Sequence, residues 1–445
     1  MKPAAVVDSA IRVARADVGD ELLARLRAAL AYPNPNAGRW GEPATLSTVR
    51  LEGGDVVLPR GASALARDLG LRLIDRRLAL PPRPFRLRRE LRDYQAAARD
   101  AALEREQGVI VLPTGGGKTL TGLAIIAAAG QPALVVVPSL DLAEQWADAV
   151  RGDLGIEPSM CIAGAVNVGD VTIAHPRTLA GEGRLEELRE RFGLVLIDEA
   201  HHAPAATTRA ILDALPARYR FGITATPTRT DELAPLVAHY LGPVIARRSA
   251  AELAGRGFLI RPRREEVRTR FAFAYGGPSD WNPLLEALAL DVERNELVAD
   301  LIARECRGGI VGLALTSRVA HAAALVALLR ARGVRAEGVT GEMPKAARST
   351  ALEAARRGEL DALVATSLAD EGLDVPRLSR LFLTWPARSE LRLAQRIGRV
   401  LRPHEGKLAP VVFDVIDPRV GVLDYQAKKR ARAFRDAWGS MREAA

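Results

Sequence analysis

The sequence predicts two tandem α/β domains, each built on a parallel sheet, with a small α+β domain before them and a basic helix after them. Three observations carry this. A chain of 445 residues exceeds what one ordinary domain holds. From about residue 90, short and nearly continuous apolar runs alternate with helical segments, the pattern of strands covered on both faces. The series also occurs twice. GVIVL (108–112), ALVVV (133–137), VTIA (171–174), LVLID (194–198) and FGITA (221–225) form the first set. GIVGLALT (309–316), AEGVTG (336–341), DALVAT (361–366), RLFLTW (380–385) and VVFDVI (411–416) form the second. The expected domains are 1–85, 86–254, 255–420 and 421–445.

Within 1–85, ELLARLRAAL (21–30) has helical spacing, with Leu22, Leu26 and Leu30 on one face. TLSTVRLEG (45–53) and DVVLPRG (55–61) read as strands around a Gly-Gly turn at 53–54. ASALARDLG (62–70) is a short helix with a glycine stop, and LRLIDRRL a closing strand. ALPPRPFRLRRELRD follows, rich in proline and arginine, and reads as a linker. Arg76, Arg77, Arg83, Arg86, Arg88, Arg89 and Arg92 are concentrated from the end of that strand through the linker, and the loop at 31–43 carries Tyr32, Arg39 and Trp40. An exposed aromatic beside arginine stacks on an unpaired base. These features raise 1–85 as an auxiliary DNA-binding element for duplexes or junctions. The alternatives are aromatics that anchor the loop to the small domain's core and arginines on a solvated hinge.

Composition narrows the functional class. The net charge of +9 favours a polyanionic partner such as nucleic acid, although compositional bias accounts for it equally well. Cys161 and Cys306 are the two cysteines, which excludes a disulfide scaffold or a cysteine-rich zinc module and fits a reducing compartment. The uncharged stretch 119–140 is interrupted by Gln131-Pro132 and Pro138, so it reads as helix, turn and strand, not as a membrane span. No signal-peptide pattern opens the chain, and a cytoplasmic protein without membrane attachment is expected.

Three motifs carry chemistry. In VLPTGGGKT (111–119) a strand runs into a glycine turn and a helix start. Backbone N–H groups of Thr114, Gly115, Gly116 and Gly117 cradle phosphates there, Lys118 reaches the β/γ-phosphates and Thr119 a Mg²⁺ ion. Leu112 stands where the generic phosphate-loop pattern has its first glycine. In LVLIDEAHH (194–202) a buried strand ends in two carboxylates, Asp198 for Mg²⁺ and Glu199 for the attacking water. A solvated strand-end pair is the alternative, and His201 with His202 lacks further ligands at zinc spacing. In LRLAQRIGRVLRP (391–403), Arg396, Arg399 and Arg402 recur at helical spacing after Gln395. Lying in the other α/β domain, they suit an arginine finger that meets ATP on domain closure.

The ordered set resembles the superfamily 2 helicases and translocases. LRDYQ (91–95) resembles the Q motif, PTGGGKT the family's Walker A, VVPSLDLAEQW (136–146) motif Ia and TIAHPRTL (172–179) motif Ib. DEAH (198–201) resembles motif II, TATP (224–227) motif III, LALTSRVAHAAAL (313–325) motif IV, VATSLADEGLDVP (364–376) motif V and QRIGRVLRP (395–403) motif VI. The likeness runs from about 90 to 418 and is nearest the DNA-directed DEAH group of XPB-like, phage and restriction-type helicases. It implies two RecA-like domains with ATP between them and 3′→5′ movement along DNA.

Carried over by position, the resemblance implies that Gln95 reads adenine and that Gly372 and Asp374 touch the nucleotide. His201, Thr224, Thr226 and Gln395 couple it to the track, and Arg399 and Arg402 are the fingers. Ser139, Arg177, Ser317, Arg318 and Thr366 lie along the strand's phosphates. The expected cofactors are ATP and Mg²⁺. The expected partners are single-stranded DNA, a fork or duplex junction, and a nuclease or other repair or defence protein. Two alternatives share these residues: an RNA helicase, and a non-catalytic clamp switched by ATP.

Overall fold

A computed structural model describes residues 2–34, 44–181, 183–225, 234–366, 375, 377–386 and 409–438. The chain forms two compact units, residues 1–113 with 117–248 and residues 114–116 with 249–445. Among the described residues, no helix is long and apolar enough to cross a membrane.

The first unit begins with β1 (Ala4–Val7), β2 (Ala10–Ala14), β3 (Ala31–Pro33), β4 (Thr45–Ser47), β5 (Arg50–Glu52), β6 (Asp55–Pro59) and β7 (Arg72–Asp75). Five of them form a mixed sheet in the order β5-β6-β2-β1-β7, and β3 pairs with β4. Glu52 faces Asp55 across the expected tight turn. Gly53 and Gly54 there have φ of +57° and +87°, a conformation that favours glycine. The helices Asp20–Ala29 and Ser63–Asp68 bury Leu23, Leu26 and Ala66 against this sheet.

The larger sheet contains β8 (Gln107–Val111), β9 (Ala133–Val136), β10 (Ser159–Cys161), β11 (Val171–Ala174), β12 (Leu194–Asp198), β13 (Tyr219–Thr224) and β14 (Val244–Arg247). Its order is β10-β11-β9-β12-β13-β8-β14, parallel throughout. The five expected runs supply its central strands. The edge strands β10 and β14 were not expected: each is short, and an edge strand needs less apolar sequence.

The small sheet is docked on the large one by buried arginine. Arg60, fully buried, donates to Gln107 Oε1 at 2.9 Å and to the carbonyls of Asp8, Ala217 and Arg218. Arg220, also buried, donates to the carbonyls of Ser9, Leu212 and Leu215. A Cβ on Gly61 would lie 2.3 Å from the Ala238 carbonyl oxygen, so glycine permits the close approach. Tyr32 packs against the core of the large sheet, which removes it as an exposed stacking residue. Arg39 and Trp40 lie outside the described residues.

The proline- and arginine-rich segment is not a free linker: its backbone is held, although most of its arginines are exposed. Leu78 bridges to Ala217, the Leu80 N–H donates to Gln131 Oε1 at 2.7 Å, and the Arg83 N–H donates to the Gly130 carbonyl at 2.7 Å. The Arg88 N–H donates to the Asp153 carbonyl at 2.8 Å. Arg77 pairs with Asp75 and Glu106, Arg83 with Asp170 and Arg89 with Asp153. The segment is a strap whose proline-rich backbone finds its partners outside itself.

The second unit contains β15 (Arg263–Arg268), β16 (Val311–Leu315), β17 (Ala336–Val339), β18 (Ala362–Ala365), β19 (Leu378–Leu383) and β20 (Val411–Ile416). Their order is β15-β20-β19-β16-β18-β17, again parallel. The sequence RREEVR hid β15, because charge and not apolar burial holds it: Arg264 pairs with the fully buried Asp414 at 2.6 Å. The same carboxylate takes Arg430 from the basic helix Gly421–Trp438, which fixes the rotation of that helix. Leu423, Ala427, Phe434 and Trp438 lie on its buried face.

Replacing Arg60 by alanine leaves several buried acceptors without a donor. The expected cost is about 3–5 kcal/mol, with faster proteolysis in the strap, read by urea unfolding and limited trypsin digestion of the full chain.

Candidate functional site

The carboxyl ends of β12, β13 and β8 lie side by side, the edge at which open parallel sheets bind ligands. Register sets Asp198 opposite Ile223 and Thr224 opposite Val111. The chain leaving β8 turns through Gly115 and Gly117, with φ of +81° and +77°, and enters the helix Lys118–Ala129. Gln95 closes this turn from one side. Its Oε1 accepts the Arg92 N–H at 2.9 Å, and a Cβ on Gly117 would lie 2.2 Å from its Nε2. Among the described residues, the Thr114 hydroxyl has no hydrogen-bond partner.

Lys118 crosses to the end of β12, where its Nζ donates to Glu199 Oε1 at 3.1 Å. Both side chains are mostly buried, at 15% and 13% exposure. Glu199 sits at φ +50°, a left-handed conformation unusual for a non-glycine residue and one that turns its carboxylate toward Lys118. Glu199 Oε2 also lies 3.4 Å from His201 Nδ1 and accepts the Thr224 hydroxyl at 3.4 Å. Burial pushes the Glu199 carboxyl up, but the charge of Lys118 and the contact with His201 outweigh it and hold it below the usual carboxylate range. Burial pushes Asp198 up, and the charge of Glu199 adds to the shift.

Trp146 was missed in the sequence. Its indole Nε1 donates to Asp198 Oδ2 at 2.7 Å, while Asp198 Oδ1 accepts the Glu199 N–H at 2.8 Å. Trp146 is 1% exposed and packed where Gly122 leaves room: a Cβ on Gly122 would lie 2.6 Å from the ring. The available signal was a tryptophan in an otherwise polar stretch of AEQW, since a buried indole N–H requires an acceptor.

The remaining expected residues separate into groups. Ser139 is the N-cap of the helix Leu140–Ala149, its hydroxyl accepting the Leu142 N–H at 3.4 Å. Exposed Arg177 lines a cavity of about 400 Å³ with Leu140, Ala163, Gly164, His175, Thr178 and Arg184. In the second unit, Thr316, Thr366 and Thr384 follow the adjacent strands β16, β18 and β19, and all three are buried. Thr366 Oγ1 is buried without a partner among the described residues. Ser317 is exposed and Arg318 half-buried just beyond β16. Thr226, Gly372, Asp374, Gln395, Arg396, Arg399 and Arg402 lie outside the described residues.

Residues 88–229 match the family described as type III restriction enzyme, res subunit, and residues 293–404 match the helicase conserved C-terminal domain. The chain belongs to the superfamily 2 helicases. The helicase is 26% identical over 384 residues to the DNA 3'-5' translocase XPB2 of Sulfurisphaera tokodaii, covering 77% of this chain and 84% of that one. It is 28% identical over 347 residues to the DNA 3'-5' helicase XPB of Mycobacterium tuberculosis, covering 74% of this chain and 60% of the relative. It therefore spans less than two thirds of that relative's length. In fold, the helicase is similar to the Pyrococcus furiosus Hef helicase domain, with a TM-score of 0.52, 20% identity and coverage of 78% and 99%.

Two outcomes follow from the described geometry. Trp146→Phe keeps the ring but leaves Asp198 short of a buried donor, so the chain should lose about 1–3 kcal/mol in urea unfolding. In the second unit, burial and the nearby Arg294 push the His321 imidazole down to about 3. Below pH 6.5 the unfolded chain takes up a proton that the folded site refuses until pH 3. Stability should therefore fall by up to about 1.4 kcal/mol per pH unit in that window. Comparing urea midpoints at pH 7 and pH 5 for the wild type and His321→Gln checks this, the variant showing the shallower loss.

Proposed function

We propose that the chain is an ATP-driven motor that moves along DNA and unwinds or remodels duplexes. The convergence of Lys118, Asp198, Glu199 and Thr224 on adjacent strand ends carries this reading. The names of its DNA-translocating relatives support DNA as the track. The glycine turn and the Thr114 hydroxyl, unpartnered among the described residues, fit a bound polyphosphate. Among the described residues no group of three or more His, Cys, Asp or Glu gathers around a metal. In this reading the cation is carried on the ATP phosphates, with Thr119 and Asp198 as its protein ligands. Such a Mg²⁺ ion would neutralise charge developing on the transferred phosphate.

In this reading Lys118 exchanges Glu199 for a phosphate when ATP binds, which frees Glu199 to accept a proton from the attacking water. His201 and Thr224, both touching Glu199, sense that change and pass it toward the track. Arg399 and Arg402 stabilise the transition-state charge, Gly372 and Asp374 hold the nucleotide, and Thr226 and Gln395 join the coupling. Ser139, Arg177, Ser317, Arg318 and Thr366 follow the strand's phosphates, so grip depends little on sequence. The functional segments of this reading are 86–254, 255–420 and the helix 421–445, with 1–85 riding on the first of them. We extend the proposal to single strands, forks and junctions as substrates and to a cytoplasmic location. The match to the restriction-enzyme family supports a nuclease or other repair or defence partner.

ATP turnover measured with single-stranded DNA, duplex DNA or RNA as activator tests the reading. Stimulation by DNA over RNA is the expected result, and equal stimulation by RNA would reassign the track. Glu199→Gln should retain ATP binding and lower DNA-stimulated turnover by at least ~10²-fold. Near wild-type turnover would remove Glu199 from the water.

A further inference from the structure

A buried chain of hydrogen bonds runs to the loop beyond β16, and each bond in it has a fixed direction. Asn295 Nδ2 donates to the Ala289 carbonyl at 2.8 Å, so its Oδ1 is the atom that faces His321. An oxygen without hydrogen accepts, and His321 Nε2, 2.9 Å away, must carry the proton. Burial keeps the imidazole neutral, so its Nδ1 is a bare acceptor. The Thr316 hydroxyl, 2.8 Å from Nδ1, therefore donates to it. With its one hydrogen committed, Thr316 Oγ1 presents lone pairs to the Arg318 N–H at 3.4 Å.

The chain is sealed from water: Asn295, His321 and Thr316 are 5%, 0% and 1% exposed. Trp385 covers the imidazole, with ring centres 5.1 Å apart. The strand end is also held from its other neighbour, where the Thr384 hydroxyl donates to the Leu315 carbonyl at 2.7 Å. The groups facing His321 include Arg294, whose charge is tied to Asp417 at 2.8 Å. Had packing been the only requirement, an apolar side chain would fill the position of His321 without needing two partners.

We propose that His321, acting through Thr316, is a positioning residue that sets the backbone of the Ser317–Arg318 loop for contact with a phosphate of the nucleic-acid track. This rests on the reading of that loop as a phosphate contact. The relay orients Arg318 and does not touch the track itself. Its loss should weaken grip on the strand without lowering the maximal rate of ATP turnover.

The test uses the full-length protein and a fluorescein-labelled oligo(dT) strand, with anisotropy for affinity and ATP turnover at saturating strand. Thr316→Val preserves shape and removes the hydroxyl; it should raise Kd about five- to tenfold, the scale of loosening one charge-assisted hydrogen bond. The rate at saturating strand should stay within about twofold of wild type. Thr316→Ser, which keeps the hydroxyl, should restore the affinity. Hydrogen exchange of the 316–320 backbone, followed by mass spectrometry, should quicken in Thr316→Val and not in Thr316→Ser, a readout independent of binding. Wild-type affinity in Thr316→Val, or a Thr316→Ser variant as weak as Thr316→Val, overturns the relay. Arg318→Ala separates the two levels: it should lower the log–log salt slope by about 0.7. If Arg318→Ala leaves affinity and slope unchanged, the phosphate contact fails and the relay falls with it. If Arg318→Ala weakens binding while Thr316→Val does not, the relay alone is wrong.

Discussion

A carboxylate that is 4% exposed at the end of a parallel strand must be given hydrogen bonds and positive charge by whatever surrounds it, and in the first unit Asp198 imposes that demand. Trp146 meets it from the helix after β9, the Glu199 backbone meets it from the next residue, and Lys118 supplies charge from the turn after β8. Each donor constrains its own element. The indole must reach β12, so the helix carrying Lys118 has glycine at position 122. The Glu199 N–H must turn back, so the backbone enters a left-handed conformation there. The strained kink and the buried charge are parts of one arrangement, common where a site is preorganised.

Much of this was legible in the sequence. Apolar runs located the central strands of both sheets, because burial on two faces leaves no room for polar alternation. The glycine turn and the paired carboxylates located the site, because phosphate and metal chemistry restrict the residue types able to serve it. Strands held by charge were not legible: RREEVR in β15 has no apolar periodicity, and its partner Asp414 is 150 residues away. Trp146 was hidden for a similar reason, since nothing local indicates which distant acceptor an indole reaches. The strap at 76–92 illustrates the opposite error. Proline and arginine suggested a free connector, yet the carboxylates that bind it come from elements far along the chain.

The two units treat buried charge differently. Where the small sheet meets the large one, the hydrogen bonds of Arg60 and Arg220 go chiefly to backbone carbonyls, so that interface reads main-chain geometry. In the second unit the buried arginines meet carboxylates: Arg294 with Asp417, Arg264 and Arg430 with Asp414. Carbonyl contacts tolerate side-chain change in the partner but not displacement of its backbone. Ion pairs couple two side chains, so loss of either leaves a buried charge uncompensated.

The mixed-sign charges of β15 have a consequence for how the molecule behaves in a crowded solution. A bare sheet edge is a template on which another chain's strand can add, and such addition is the first step of many aggregates. Arg263, Glu265, Glu266 and Arg268 give this edge of the second sheet a mixed-sign rim that an incoming apolar strand cannot pair with cheaply. Since Asp414 secures both β15 and the terminal helix, one carboxylate guards the colloidal stability of the second unit as well as its shape.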